Sequence, residues 1–389
     1  PAVVPLVQLA PNTFVLELFH GPTLAFKDLA MQLLSRLMDL ALESRGKRTT
    51  IVVATSGDTG GAAVEAFRGR ARVDVVVLFP RGRVSPVQQR MMTTAAEDNV
   101  HAIAIEGNFD DCQALVKAMF AHASFRDTVG LSGVNSINWA RILPQVVYYV
   151  TSALSIGATA ERPVSFVVPT GNFGNIFAAY AAKQMGLPID RMVVATNQND
   201  ILSRFLASGE MTLEGVQPSI SPSMDIQVSS NFERYLFDLF DRDGIAVTEA
   251  LSGFRETGHF AVSQGMLDRA RAEFDGFRTD EAGTKATIKA VYEETGEITD
   301  PHSAVSLGAA RQARESGAIG TDKPMISLAC AHPAKFPDAV ESAIGLRPAL
   351  PPRLADLLER EERMTVLAND YGTVSTHIAG IVATKENAA

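Results

Sequence analysis

Between residues 49 and 197 the chain repeats one rhythm. A short β-branched run meets a glycine or proline signal, and an amphipathic stretch follows. TTIVVAT (49–55) reads as a buried strand, with SGDTGGAAVEAF as its turn and helix. VDVVVLF (73–79) is a second strand; Ser85 and Pro86 then read as N-cap and N1 of a helix. VHAIAIEG (100–107) precedes DDCQALVKAMFAHA, and VSFVVPT (164–170) precedes GNFGNIFAAYAAKQMG. RMVVATN (191–197) and PMISLAC (324–330) complete the set. Strands recurring with helical crossovers predict parallel βαβ units and doubly wound sheets.

One helix stands apart. LAMQLLSRLMDLAL, directly after Lys27 and Asp28, carries leucine or methionine on nearly every face. A helix apolar all round is expected to be buried, its N-terminus included. A lysine there is unusual, unless it is a surface residue snorkelling from the helix start. Two stretches break the rhythm. Residues 217–232, QPSISPSMDIQVSSNF, predict a long loop, and 347–353, RPALPPR, a linker. The expected organisation is 1–150 and 151–346 as two α/β halves, then 347–389 as linker and C-terminal helical segment.

Composition narrows the function classes. A chain of 389 residues, 46% hydrophobic, can bury a substantial core. A net charge of −9 with no basic run argues against nucleic acid, whose phosphates call for clustered Lys and Arg. Cys112 and Cys330 form no CxxC, and the seven histidines no HxxxH, so neither a disulfide framework nor a metal site is expected. A reducing cytoplasm fits this usage. No apolar run nears the roughly 18 residues of a membrane span. The opening PAVVPLVQLAPN has no signal-peptide pattern and reads as mid-domain sequence, so an earlier natural start is expected. Oligomeric state is not legible.

Two βα turns are glycine-rich: ATSGDTGGAA (54–63) and PTGNFGNIFAA (169–179). Glycine lets backbone approach a ligand, and a helix start offers free N–H groups. Neither turn is a Walker loop or GxGxxG, and tight packing without a ligand is the alternative for each. Together with Lys27 they suit a cofactor that carries both a phosphate and an aldehyde. Pyridoxal phosphate is such a cofactor, its aldehyde taken by the lysine as a Schiff base.

HGPTLAFKD (20–28), ATSGDTGGAA, NSINWARILPQ, PTGNFGN, SPSMDIQVSSNFER, DPHSAV and CAHPAKFP together resemble the threonine synthase family. The likeness runs from about residue 5 to about 370. It implies the tryptophan synthase β-like fold (fold type II of the pyridoxal-phosphate enzymes): two doubly wound α/β domains with mostly parallel sheets and the active site in the cleft between them. The resemblance implies that Lys27 carries the cofactor, beside Phe26, and then shuttles protons. The helix start and apolar neighbours should keep more of it as neutral amine. Gly171, Asn172, Phe173, Gly174 and Asn175 would take the cofactor phosphate. A second GNF at Gly107–Phe109 runs into Asp110 and Asp111, and reads as an ordinary N-cap.

Thr55, Ser56, Gly57, Asp58 and Thr59 would receive the substrate carboxylate. Asp58 departs from the asparagine frequent in fold type II enzymes. It is read either as an N-cap or as a carboxylate accepting backbone bonds or facing the cofactor's phenolic edge. Ser136, Asn138 and Arg141 follow Asn135 in VNSINWARI. Arg141 either grips a second phosphate bidentately or makes a structural salt bridge. Ser221, Ser223 and Asp225 either close over substrate or lie exposed in their loop. Cys330 replaces the family's usual threonine opposite the cofactor's ring nitrogen, and a thiol is the weaker partner. His332 and Lys335 read as structural. The implied reaction turns O-phospho-L-homoserine and water into L-threonine and phosphate. A phospholyase acting on a phosphorylated amino alcohol, a phosphate- or nucleotide-binding protein and an inactive relative remain the alternatives.

Overall fold

The computed structural model describes residues 3–386. It comprises two compact units, each discontinuous in sequence. One joins the N-terminal stretch up to His20 to Ile142–Pro348; the other joins Gly21–Arg141 to the chain from Ala349 onward.

The unit holding Lys27 is built on five parallel strands, in the order Thr365–Ala368, Val100–Glu106, Val73–Pro80, Thr49–Ala54 and Leu131–Ser132. The central strand is buried along its whole length. Val73, Val75, Val77 and Phe79 pack with Phe67, Met31 and Leu34. Val76 and Leu78 pack with Ile103, Leu115, Val116, Met119, Val374 and Ile378. Helices therefore cover both faces, which is why this strand reads as an unbroken apolar run. Each such side chain contributes about 1.5–3 kcal/mol on burial.

The main sheet of the other unit has six strands. Their order is Leu6–Ala10, Thr13–Glu17, Met325–Ala329, Val164–Pro169, Ile189–Thr196 and Phe274–Arg278. All neighbours are parallel except the first hairpin. The helix Pro301–Glu315 lays Val305, Ala309, Ala310 and Ala313 against Val167, Val193 and Ala195. A two-stranded ribbon pairs Glu210–Thr212 with His259–Ala261.

All six strands expected from the sequence form. Three expectations need correction. The helix Lys27–Arg45 is not buried all round: Leu33, Leu37 and Leu40 are exposed, and only its N-terminal half contributes buried residues. The segment from 347 is not a separate helical piece, because Thr365–Ala368 extends the five-stranded sheet and Val374 and Ile378 enter its core. The units are not the contiguous halves 1–150 and 151–346: hydrogen bonding draws the first hairpin to Met325–Ala329, and the division falls within the helix Trp139–Ser155. Among the described residues no helix is long and apolar enough to cross a membrane.

Candidate active site

HGPTLAFKD folds as a turn locked onto the helix it begins. The Thr23 N–H and hydroxyl donate to the Asp28 carboxylate at 2.8 and 2.5 Å. Gly21 permits this closeness, since a Cβ there would lie 2.5 Å from Asp28 Oδ2. Leu24 takes φ 60°, uncommon for a side-chain-bearing residue, to complete the turn. Lys27 is thereby the first helical residue, its side chain only 12% exposed. It does not snorkel at the surface. Nζ lies 5.8 Å from the Phe26 ring centroid and 3.7 Å from Asp58 Oδ2. That carboxylate favours the ammonium form, opposite in sign to the effect expected of apolar neighbours alone.

The first glycine turn explains where Asp58 sits. Gly57 is the N-cap of the helix Asp58–Phe67, so Asp58 is inside the helix and is not its cap. Gly57 has φ 132°, and a Cβ there would lie 2.4 Å from Gln88 Cδ. Only glycine fits on both counts. The space is used by Gln88, whose Nε2 donates to Asp58 Oδ1 at 3.0 Å. Gln88 is itself fixed by a capping box with Ser85, each side chain accepting from the other's backbone N–H at 3.2 Å. Thr55 is buried, and its Oγ1 accepts from the N–H groups of Gly57 and Gly60, both at 2.9 Å. Thr55 therefore shapes the turn, while Ser56 and Thr59 are half-buried in it.

Asn138 Oδ1 accepts from Ala140 N–H at 3.0 Å, capping the approach to Trp139–Ser155. Arg141 is buried, with Nη1 donating to the Val134 carbonyl at 2.7 Å. Ser136 is half-buried in the same turn.

In the other unit, Val164–Pro169 leads into the second glycine turn. Phe173 takes φ 61° and precedes the helix Gly174–Gln184 without any side-chain cap. Its ring packs on Phe232 and Phe274, at 5.1 and 5.5 Å between centroids. The carbonyls of the turn are engaged from behind. Ser229 Oγ donates to Gly171 O at 2.8 Å, and Asn231 donates N–H and Nδ2 to Asn172 O at 3.0 and 3.1 Å. The first intrahelical bond runs from Phe177 N–H to Phe173 O. The N–H groups of Gly174, Asn175 and Ile176 thus precede the ladder, at the positive end of the helix dipole. Asn175 adds a buried Nδ2 that has no partner among the described residues. Uncapped amides and an orphaned neutral donor fit a phosphate. The other GNF differs: Asn108 caps its helix in a reciprocal box with Asp111, as its acidic neighbours implied.

Cys330 follows the C-terminal end of Met325–Ala329 and is buried. Its N–H donates to Ser303 Oγ at 3.0 Å. Ser303 belongs to a buried cluster that the sequence reading did not resolve. Asp300, fully buried, accepts from Ser303 N–H at 3.0 Å and its hydroxyl, and from His302 N–H and Nδ1 at 2.9 and 2.8 Å. His302 Nε2 then accepts from Ser223 N–H at 3.3 Å. An Asp N-cap with Pro at N1, as in DPHS, was the available signal. Ser221 is buried and Ser223 and Asp225 are half-buried, so these residues do not lie exposed in their loop. Asp225 accepts from Ser219, Asn197 and Asn199, and Asn197 Nδ2 also donates to Ser221 Oγ at 2.9 Å. Burial pushes the Asp225 carboxyl above its ordinary range.

Residues 4–252 match the family model described as pyridoxal-phosphate dependent enzyme, and 303–378 that of threonine synthase, C-terminal. Threonine synthase of Pseudomonas aeruginosa is 54% identical over 379 residues, covering 97% of this chain and 80% of that protein. The solved pyridoxal-phosphate-bound threonine synthase of Brucella melitensis superposes with TM-score 0.94 at 57% identity, covering 98% of this chain and 81% of that one. The yeast enzyme's structure gives 0.92 at 39%, covering 98% and 81%. The lysine turn, the two glycine turns and these likenesses converge: the chain belongs to the threonine synthases, pyridoxal-phosphate-dependent lyases of fold type II.

Proposed function

We propose that the chain converts O-phospho-L-homoserine and water into L-threonine and phosphate in the cytoplasm, with Lys27 as the cofactor-bearing and proton-moving residue. The observation that carries the assignment to Lys27 is its position: a poorly exposed amine opening a helix, in a turn locked by Thr23 and Asp28. Bound there, pyridoxal phosphate supplies an electron sink for charge developing at the substrate's α and β carbons. Gly171, Asn172, Phe173, Gly174 and Asn175 hold its phosphate, and Phe26 and Cys330 belong to its surroundings. Cys330 offers the ring nitrogen only a weak partner.

Lys27, released when substrate binds, takes a proton from Cα and later returns one. A Cβ proton is lost as phosphate leaves Cγ; Cγ then gains a proton, and water adds its oxygen to Cβ. Asp58, steadied by Gln88, holds the charge of the Lys27 ammonium between transfers. Ser56, Gly57 and Thr59 receive the substrate carboxylate, and Thr55 keeps their turn in shape. Arg141, preceded by Ser136 and Asn138, is the guanidinium we assign to the substrate phosphate. Its burial supports this, because a buried guanidinium favours a dianion strongly.

The test is a product assay with pyridoxal phosphate and O-phospho-L-homoserine. Threonine equal to phosphate is expected. Phosphate with 2-oxobutyrate would replace this reading with a lyase, and no phosphate would remove this substrate from it.

A further inference from the structure

Asn175 is held in an unusual way. Its side-chain oxygen faces two tyrosine hydroxyls from consecutive residues of the helix Trp139–Ser155. Tyr148 Oη lies 2.5 Å from Oδ1, and Tyr149 Oη lies 2.7 Å from it. Both tyrosines are buried, as is Asn175, at 3%, 0% and 8% exposure. Their rings are immobilised: Tyr149 sits edge-on to Phe166 at 4.8 Å and stacks tilted on Tyr148 at 4.9 Å. The Tyr148 oxygen also lies 2.9 Å from Gln145 Oε1, and the Tyr149 oxygen 3.1 Å from the Asn175 backbone carbonyl, the longer contact in each case. Burial, aided by Cys330 nearby, drives Tyr149 well above its ordinary pKa, so its hydroxyl keeps the hydrogen it donates. A brace between helices would need only the bond to the backbone carbonyl. Each hydroxyl has one hydrogen, and the shorter contacts direct both to the side-chain oxygen, so Nδ2 is the end left without a partner among the described residues.

We propose that Tyr148 and Tyr149 are positioning residues for the cofactor phosphate: they hold the Asn175 carboxamide by its oxygen and leave its NH2 group to the anion. The proposal rests on the reading of Gly171–Asn175 as the phosphate turn. With the amide reversed, Oδ1 would be the group left over, and an acceptor oxygen repels a phosphate dianion. The tyrosines thus act only through Asn175.

The experiment is a double-mutant cycle read by equilibrium dialysis. The apoproteins of the parent, Asn175→Ala, Tyr148→Phe, Tyr149→Phe and the two Tyr/Asn doubles are titrated with pyridoxal phosphate. They are also titrated with pyridoxal, which has no phosphate. Asn175→Ala is expected to weaken pyridoxal phosphate about tenfold, and each Tyr→Phe about three- to tenfold. In the Asn175→Ala background the Tyr→Phe changes should add less than about twofold. Pyridoxal affinity should hold throughout, while apoprotein Tm falls modestly in each Tyr→Phe, which removes one buried hydroxyl. Additive Tyr and Asn effects, or equal losses for pyridoxal, would overturn the proposal in favour of a general brace. An Asn175→Ala protein binding pyridoxal phosphate like the parent would overturn the phosphate-turn reading itself. Should Tyr149→Phe fail to fold, the Tyr148→Phe arm decides.

Discussion

Asp58 is the residue at which the site departs most from a simple expectation. In the role proposed for Lys27 the amine must condense in its neutral form, yet a carboxylate stands 3.7 Å from Nζ. At an effective dielectric of about 20, charges about 4 Å apart attract by roughly 4 kcal/mol, set against the desolvation cost of the buried pair. Gln88 holds Asp58 through Oδ1, and the ion pair uses Oδ2. Asp58→Asn keeps an oxygen for Gln88 and removes the charge. The variant should therefore capture pyridoxal phosphate about tenfold faster at neutral pH, followed as growth of the yellow chromophore after mixing. It should also turn over more slowly, because the ammonium loses its counter-charge during proton transfer. An unchanged capture rate would show that Asp58 does not set the charge of the amine. Lys27→Ala, by contrast, should leave no borohydride-reducible chromophore at all. The tight turn that opens a helix at Lys27 was legible because its motif is local: turn, aromatic residue, lysine and acid within nine residues. The support behind Asp58 was not, because Gln88 comes from another helix, 30 residues further along the chain.

The loop from 217 to 231 shows the same limit for a whole element. Its polarity and prolines marked a loop correctly, but polar composition does not say whether the side chains face solvent or one another. Here they face one another. Asp225 accepts Ser219 N–H through Oδ2 at 2.9 Å, and through Oδ1 it accepts Ser219 Oγ, Asn197 Nδ2 and Asn199 Nδ2 at 2.6–3.0 Å. Further along, Ser229 and Asn231 grip the carbonyls of the Gly171–Asn175 turn, and a Cβ on Gly171 would stand 3.0 Å from Ser223 O. The loop is a buckle behind that turn. Asp225→Asn sets an NH2 group against N–H donors whichever way the amide turns, which should cost about 1–3 kcal/mol. The pH dependence has a definite sign. Burial raises the folded carboxyl above its ordinary 3.8, so its stabilising contribution is fully present below 3.8 and is lost as pH rises through the folded value. Urea unfolding across that acid range should show stability falling with pH from this group, and Asp225→Asn should flatten that component. The same slope in the variant would assign it elsewhere.

At the scale of the molecule, the sequence pattern disclosed the strands that are buried on both faces and little of how the chain apportions them. Central strands such as Val73–Pro80 are apolar because helices cover both sides. Edge strands carry no such mark: Thr365–Ala368 is four residues long and mostly exposed, and Leu131–Ser132 is only two. The exchange of termini between units is equally silent, since it depends on pairings hundreds of residues apart, such as Thr13 with Met325 and Thr365 with Ile103. That exchange has a mechanical consequence. Val374 and Ile378 are fully buried against Ile103, Ile105 and Val116, although they lie some 270 residues later in the chain. The segment after Ala349 also ties down through Arg363, whose N–H and Nη1 reach the Thr93 and Ala96 carbonyls, and through Glu362, which accepts from Gln89 and Thr93 at 2.7 and 2.8 Å. It is part of the core holding Lys27 and not an appendage. Ile378→Ala should cost about 2–5 kcal/mol of unfolding free energy, read from urea midpoints. Ending the chain after Pro348 removes the strand beside Val100–Glu106 and leaves that edge open, which predicts aggregation. A chain ending at Pro348 that stayed soluble and still captured pyridoxal phosphate on Lys27 would show that the five-stranded sheet folds without its last strand. Because Val374 and Ile378 lie under the sheet that carries the Thr55–Thr59 turn, we expect the opposite.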